Sequence, residues 1–350
     1  MAERRKKVRL QDIAEAVGTS TVTVSNALNG KTGMSPELRA QITEKAKAMG
    51  YPVKKENPEP KLIIRNTDYI ESLAIGVVVS KFFISVGTSF YWEIYQQIVK
   101  KASSYNAFTM IEIIDEENMK PGQLPKCVTS GKNNAIIILG KMNVDFIRNI
   151  INYSKVPVLT LDYYNPSLSC DSVLSDNEGG MYLTTKYLID NGHRDIAFVG
   201  DTSENGNFRE RLMGYEDALK EAGIPMREEW ILKDRTSDLG RAALKLPKEM
   251  PTAFACSGDY SAGILYNELC AKGLKVPEDV SVSSYDDFLF GNPFGRHLTT
   301  FHVPMDRMAS DSVKILRQKI VGTVPVNNFI RIHLPGYMVI RDSVKNMNEE

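Results

Sequence analysis

Carboxylates stand directly after several apolar runs of this chain. Asp162 follows Val158–Leu161, Asp286 and Asp287 follow Val280–Tyr285, and Asp259 closes the run Ala253–Gly258. Arg209 and Arg211 precede a segment that continues Leu212-Met213-Gly214-Tyr215. Paired acids can act as general acid and base, but adjacent residues at a strand end diverge in direction, which does not suit that task. Carboxylates and arginine around a concave site suit a polyol or another polar ligand, with Phe90, Tyr91, Trp92 and Tyr163 able to stack on a ring. Plainer roles compete: Asp259 and Asp287 equally suit capping of a following helix, and Arg209 suits a surface ion pair. His297, His302 and His333 have no metal-ligand spacing. The chain has no G-x-S-x-G, no P-loop and no H-E-x-x-H, and Gly179-Gly180 opens a helix without the dinucleotide fingerprint. No enzyme activity, metal or cofactor is therefore expected.

A second set lies near the N-terminus. On a helix over Thr21–Leu28, the residues Val24, Ala27 and Leu28 cluster on one side. Thr21, Val22, Ser25, Asn26 and Asn29 fall on the other. Short side chains of this kind can approach base edges. Asn can make two hydrogen bonds to adenine, and Val or a Thr methyl can touch a thymine methyl. Arg4, Arg5, Lys6, Lys7 and Arg9 precede the set and could lie along phosphates. A small bundle with a solvated polar face would share the helical spacing.

These residues need elements to hold them. Leu10, Ile13, Ala14 and Val17 recur at helical spacing, and Gly18-Thr19-Ser20 breaks the pattern. Ser20 suits an N-cap for the second helix, and Asn29-Gly30 ends it. Ser35-Pro36 opens a third helix, carried by Leu38, Ile42, Ala46 and Met49 and closed by Gly50. Two short helices joined by a tight turn suggest a helix-turn-helix, whose second helix enters the major groove. From Ser72 onward, strand-like runs alternate with helical segments. Strands are expected at Leu73–Val79, Phe108–Ile113, Ala135–Leu139, Pro157–Leu161, Ser172–Leu174, Ile196–Val199, Thr252–Ala255 and Val280–Ser284. Helices are expected at Tyr91–Tyr105, Val144–Tyr153, Glu178–Asn191, Phe208–Ala222, Tyr260–Lys272 and Asp306–Ile320. Such alternation indicates parallel sheets covered by helices. About 280 residues is large for one sheet, so two lobes are expected, with the ligand beyond the carboxyl ends of the strands.

Charge supports the division. The 350 residues hold 43 Lys+Arg and 43 Asp+Glu. Residues 1–55 hold 11 basic and 5 acidic residues, leaving 32 and 38 for the remainder. A basic head and an acidic body fit one part that sits on phosphates and another that avoids them. No apolar run follows the basic start, and none approaches a membrane span, so a cytoplasmic protein is expected. Four scattered cysteines (Cys127, Cys170, Cys256, Cys270) without a C-x-x-C fit free thiols.

The runs Val8–Ala14, Gly18–Ser25, Ala27–Gly30 and Gly50-Tyr51 resemble the head of the LacI/GalR family of bacterial repressors. Gly192–Gly200, Arg209–Arg211 with Gly214-Tyr215, Val276–Val282, Tyr285–Asp287 and Leu298–Thr300 resemble its periplasmic-binding-protein-like core. On this likeness His193 belongs to a structural turn. The resemblance implies base reading by Thr21, Val22 and Asn26, and backbone contacts by Ser20, Ser25, Asn29, Ser35 and Tyr51. It implies effector contacts at Phe90, Tyr91, Asp162, Tyr163, Arg211, Gly258 or Asp259, and Asp286. Departures exist. Many members have Arg at the position of Asn26, Thr where Arg9 stands and Gly where Ser284 stands. Sugar-responsive members often have Asn at the position of Gly258. The segment between Ser80 and Phe90 is a few residues long for the family.

The family usually places a hinge helix with a minor-groove leucine after the head. Here Pro52, Pro58 and Pro60, with Leu62 the leucine nearest the expected slot at Pro60, leave three readings open: a displaced helix from Asn57-Pro58, a weak or absent wedge, or a plain tether. The expected organisation is an all-α head (1–53), a linker (54–71) and a two-lobed α/β body of parallel sheets (72–345). Its first lobe would take 72–162 and 301–325, its second 163–300 and 326–345, with a tail at 346–350. The tail has no leucine heptads, so no tetramer helix is expected. The expected function is a DNA-binding repressor, homodimeric on a near-palindromic double-stranded operator, controlled by a sugar or related metabolite. The alternative is a binding protein of the periplasmic type without a regulatory role.

Overall fold

The computed structural model describes residues 8–28, 35–51, 73–84, 89–120, 122–201, 206–234, 244–288 and 293–349. The chain divides into two compact units, Met1–Leu62 and Ile63–Glu350. Arg4, Arg5, Lys6 and Lys7 of the basic arm, Asn29 and the proline-bearing linker lie outside the described residues.

The first unit carries α1 (Leu10–Val17), α2 (Thr21–Leu28) and α3 (Pro36–Ala48). Ile13, Ala14, Val24, Ala27, Ile42 and Ala46 make its core. Gly18 takes a left-handed conformation (φ 73) and closes α1, as a C-cap glycine does. The hydroxyls of Ser20 and Ser35 accept from Thr23 N (3.1 Å) and Leu38 N (3.2 Å), so both serines cap helices. Arg9 replaces the usual capping hydroxyl of α1. Its main-chain N–H instead donates to the Asp12 carboxylate at 2.7 Å.

In the second unit, the first lobe contains β1 (Leu73–Ser80), α4 (Lys81–Ile84), α5 (Phe90–Ser103), β2 (Ala107–Ile114), α6 (Lys126–Thr129), β3 (Ala135–Leu139), α7 (Val144–Tyr153), β4 (Val158–Leu161) and β5 (Asp171–Ser175). The second lobe contains α8 (Asn177–Asp190), β6 (Ile196–Val199), α9 (Gly206–Glu221), β7 (Ile231–Leu232), β8 (Ala253–Cys256), α10 (Asp259–Ala271), β9 (Ser281–Asp286) and β10 (Thr299–His302). The chain then returns to the first lobe through α11 (Met305–Ile320) and β11 (Arg331–Leu334), and ends with β12 (Tyr337–Val339) in the second.

The sheet orders are β11-β5-β4-β3-β1-β2 and β12-β10-β9-β8-β6-β7. The described pairings are parallel except β10 with β12. β1 and β3 are buried along their whole length, which explains their unbroken apolar sequence.

The expected lobe boundaries need correction. The chain does not leave the first lobe after Asp162. It turns back and lays β5 beside β4, crossing only at Asp176. Phe301-His302 pair with β9 in the second sheet, and Arg331–Leu334 pair with β5 in the first. Strand pairing therefore moves β10 to the second lobe and β11 to the first, while α11 stays with the first lobe and β12 with the second, as expected. The short α4, α6, β7, β10, β11 and β12 were not among the expected elements. The tail also has a partner: Met347 N donates to Asn191 O at 2.8 Å, docking it on the end of α8.

The crossing strands meet tightly. A Cβ on Gly336 would lie 2.0 Å from the His302 carbonyl oxygen, so only glycine fits there. Beside it, Asp287 accepts from Arg341 Nη2 at 2.6 Å, and its other oxygen meets His302 Nδ1 at 2.8 Å. Asp287 is thus a tie between crossing segments rather than a helix cap.

Candidate functional site

Asp162, Asp259 and Asp286 come together where the carboxyl ends of β4, β8 and β9 face each other. Both Asp162 (φ 58) and Asp286 (φ 114) hold positive backbone angles, unusual for a residue with a side chain. The strand-to-loop turn therefore fixes each carboxylate at a conformational cost, a pattern common where a site is built.

Arg211 organises the second-lobe side. Its Nε donates to Asn177 Oδ1 at 2.9 Å, and Nη1 donates to the Ser257 carbonyl and to Asp286 Oδ1 (3.3 Å). The guanidinium lies 3.7 Å over the Tyr285 ring. Such stacking and forked donation suit Arg and not Lys. Gly258 has extended backbone, and a Cβ there would lie 2.8 Å from Asp286 Oδ2. Its lack of a side chain is what admits the Asp286 carboxylate.

Asp162 belongs to the first lobe. Its Oδ2 accepts from Tyr91 Oη at 2.8 Å. From the second lobe, Asn207 Nδ2 donates to Asp162 Oδ1 and to its carbonyl, both at 3.1 Å. Burial pushes the Asp162 carboxyl up to about 6, against the pull of Arg211 and its hydrogen bonds. Burial also raises Asp286, with Arg211 opposing, and raises Asp259, with the nearby Asp286 charge adding to it. Tyr91 is held well above the usual phenol range by burial and by Asp162.

Other expected contacts divide. Phe90 faces the lobe core and meets Phe288 edge-on at 6.1 Å between centroids. Asp259 accepts from Phe288 N (2.7 Å) and Thr300 Oγ1 (2.8 Å), so it fastens the loop after β9. It does not cap α10, whose N-cap is Gly258. Tyr163 is buried in a cluster with Met142, Phe146, Leu168 and Cys170. Trp92 turns outward beside Tyr95. Arg209 is exposed. Sequence reasoning missed Asn207, Asn177 and Phe83, whose ring lies 4.4 Å from that of Tyr91. Asn207 and Asn177 carry no motif, and only the meeting of the lobes reveals the former. Among the described residues, no group of three His, Cys, Asp or Glu is placed to hold a metal ion.

In the head, Thr21 and Val22 are exposed, and Ser25 and Asn26 are half-buried on the same side of α2. Val24 and Ala27 are buried on the other. Arg39, also missed, donates from Nη1 to the Ala27 carbonyl at 3.0 Å and ties α3 to the end of α2. Tyr51 packs against the head core. Ser20 and Ser35 spend their hydroxyls on caps, a role compatible with an approaching phosphate. No described helix is long and apolar enough to cross a membrane.

Residues 9–52 match the model of bacterial regulatory proteins of the lacI family, and residues 185–344 match that of the periplasmic binding protein-like domain. The chain belongs to the LacI/GalR family of bacterial transcriptional regulators. Relatives in this family include the HTH-type transcriptional repressor PurR of Vibrio vulnificus, 28% identical over 349 residues, covering 97% of this chain and 99% of the relative. PurR of Haemophilus influenzae strain KW20 is 27% identical with the same coverage. Among solved structures, the transcriptional regulator CelR in complex with cellobiose aligns at a TM-score of 0.65 and 23% identity, covering 96% of this chain and 99% of that one. The lac repressor dimer bound to operator and the anti-inducer ONPF aligns at 0.62 and 20% identity, covering 97% and 100%. The family's members are DNA-binding regulators, and the two described units of this chain correspond to a DNA-binding head and a ligand-binding-type body.

Proposed function

We propose that the protein is a repressor whose hold on operator DNA is set by a small polar effector bound between the two lobes. The observation that carries this reading is the convergence of Asp162, Arg211 and Asp286, all buried, from opposite lobes. Carboxylates and a stacked guanidinium in a closed cleft suit the hydroxyls of a sugar or related metabolite. Solved relatives bound to cellobiose and to ribose support a sugar-class effector. The head would read bases through Thr21, Val22 and Asn26, and the whole would act as a cytoplasmic homodimer on a near-palindromic site, since two-fold protein symmetry is mirrored in the half-sites. Exposed Phe108, Met110 and Ile113 on the edge strand β2 offer an apolar surface that a second copy would cover.

Effector and DNA would be linked: each changes the other's affinity by the same factor. A binding protein without a regulatory role would have no use for the helix-turn-helix head.

The test is a thermal-shift screen of the full chain against sugars, nucleosides and phosphorylated sugars, since a ligand that binds only the folded state raises its stability. A compound that stabilises the protein must also change its affinity for an operator selected from random DNA. Stabilisation without any such change would refute regulation through the cleft.

A further inference from the structure

The two lobes touch through Asp162. Asn207, in the first turn of α9, donates from Nδ2 to Oδ1 and to the carbonyl of Asp162, both at 3.1 Å. Both residues are buried. The remaining carboxylate oxygen accepts from Tyr91 on Asp162's own lobe. Each oxygen of this carboxylate is thus engaged, one from each side of the cleft. The positive φ of Asp162 aims the carboxylate and the carbonyl at the same partner.

We propose that Asn207 is a cross-cleft latch: in the effector-free chain it holds the lobes closed on Asp162, and an effector enters by competing for that carboxylate. The second half rests on reading the cleft as the effector site. The first half does not.

A hydrogen bond to a charged group, shielded from water, shifts a two-state equilibrium by roughly tenfold or more. Asn207 supplies such a bond and a second one to the main chain. Releasing it leaves a buried carboxylate short of a donor, so the released state is favoured only when another donor arrives. This sets the chemistry of the competitor. It must offer hydroxyl or amine hydrogens, because Asp162 only accepts when ionised. An acceptor-only anion cannot displace the latch. Other titratable groups facing Asp162 are Tyr91 from α5, Glu210 and Arg211 from α9, and Asp286 at the end of β9.

Cysteine placement makes the latch measurable. Cys270, on α10 of the second lobe, is exposed, whereas Cys127, Cys170 and Cys256 are buried. A nitroxide on Cys270 and another on an introduced Asp145→Cys, at the exposed start of α7 in the first lobe, report lobe separation. The full-length chain is measured without effector, diluted into unlabelled protein. The otherwise unaltered protein should give one narrow distance. Asn207→Ala should give a longer and broader one. Asn207→Asp should do the same near pH ~8, where two carboxylates repel, and return to the short distance near pH ~5, where a shared proton restores a donor. If Asn207→Ala does not fold, the pH pair within Asn207→Asp decides alone. Identical distributions in all three proteins at both pH values would overturn the latch, as would a broad, long distance in the protein with Asn207 intact. Because no effector is present, this result is independent of the ligand screen, and the failure of either leaves the other standing.

Discussion

Arg211 Nη1 lies 3.3 Å from Asp286 Oδ1, with the two side chains only 5% and 12% exposed. A buried pair needs further hydrogen bonds to be stable, and here Asn177 accepts from Arg211 Nε and the Ser257 carbonyl from Nη1. Removing one partner leaves a charge in the interior. Arg211→Ala should therefore lower stability by about 3–5 kcal/mol. Arg211→Lys should recover little of it, lacking the fork and the flat face that covers Tyr285. Urea titration of the full chain measures both. A midpoint unchanged in Arg211→Ala would show that the pair contributes nothing to the fold.

Gly258 controls the same carboxylate by its lack of a side chain. Its backbone is extended, so alanine would fit the local conformation without strain. The obstacle is the 2.8 Å separation between its Cβ and Asp286 Oδ2. Asp286 would have to move, and its contact with Arg211 would lengthen. Gly258→Ala should cost about 1–3 kcal/mol, as overpacking of a filled interior does, and should weaken binding of any ligand found by the screen. Equal melting temperature and equal ligand response in the variant would refute a spacing role for Gly258.

Asp286 and Arg211 are legible in the sequence, because a carboxylate closing a strand-like run and an arginine before Leu212-Met213-Gly214-Tyr215 state their own positions. Most strands and helices of the body were legible for a similar reason: fully buried parallel strands such as Ala135–Leu139 read as unbroken apolar runs. The late strands were not. Thr299–His302 and Arg331–Leu334 carry many polar residues, and their sheet is chosen by partners far away in sequence. Asp171–Ser175 was legible as a strand but not as a member of the first lobe, since pairing with Val158–Leu161 is a tertiary fact.

The raised carboxyl of Asp162 carries a sign that can be measured. Its ordinary value is 3.8 and burial takes it to about 6. The folded chain therefore holds this proton more tightly than the unfolded chain does. Stability from this group is full below the unfolded value and is lost as pH rises through about 6. The difference corresponds to about 3 kcal/mol, an order-of-magnitude figure. Asp162→Asn removes the titration. Relative to the unaltered protein, the variant should gain stability as pH rises from about 4 to about 6, and the difference should be flat above that. Melting temperatures of both proteins across this range provide the check. A difference that is constant from acid to neutral pH would mean that the carboxylate is ionised on folding at no cost.

Asn26 and Val22 make the head testable apart from the body. Val22 is an apolar side chain left 66% exposed on α2, while Val24, two residues on, is fully buried in the head core. An exposed valine on a helix held by a capped start and by the Arg39 contact at its end is placed to meet something apolar. On the proposed reading that partner would be a thymine methyl in the major groove, with the Asn26 amide beside it meeting an adenine edge. Asn26→Ala should relax preference at one position of each half-site by about 1–3 kcal/mol. Val22→Ala should relax a neighbouring position by less, because only a methyl contact is lost. Neither change removes a phosphate contact, so binding to non-specific DNA and its salt dependence should stay the same. Selection from a randomised site, followed by affinity measurements at two salt concentrations, separates the outcomes. Uniform weakening across all sequences, with a smaller salt slope, would assign Asn26 to the DNA backbone instead of the bases.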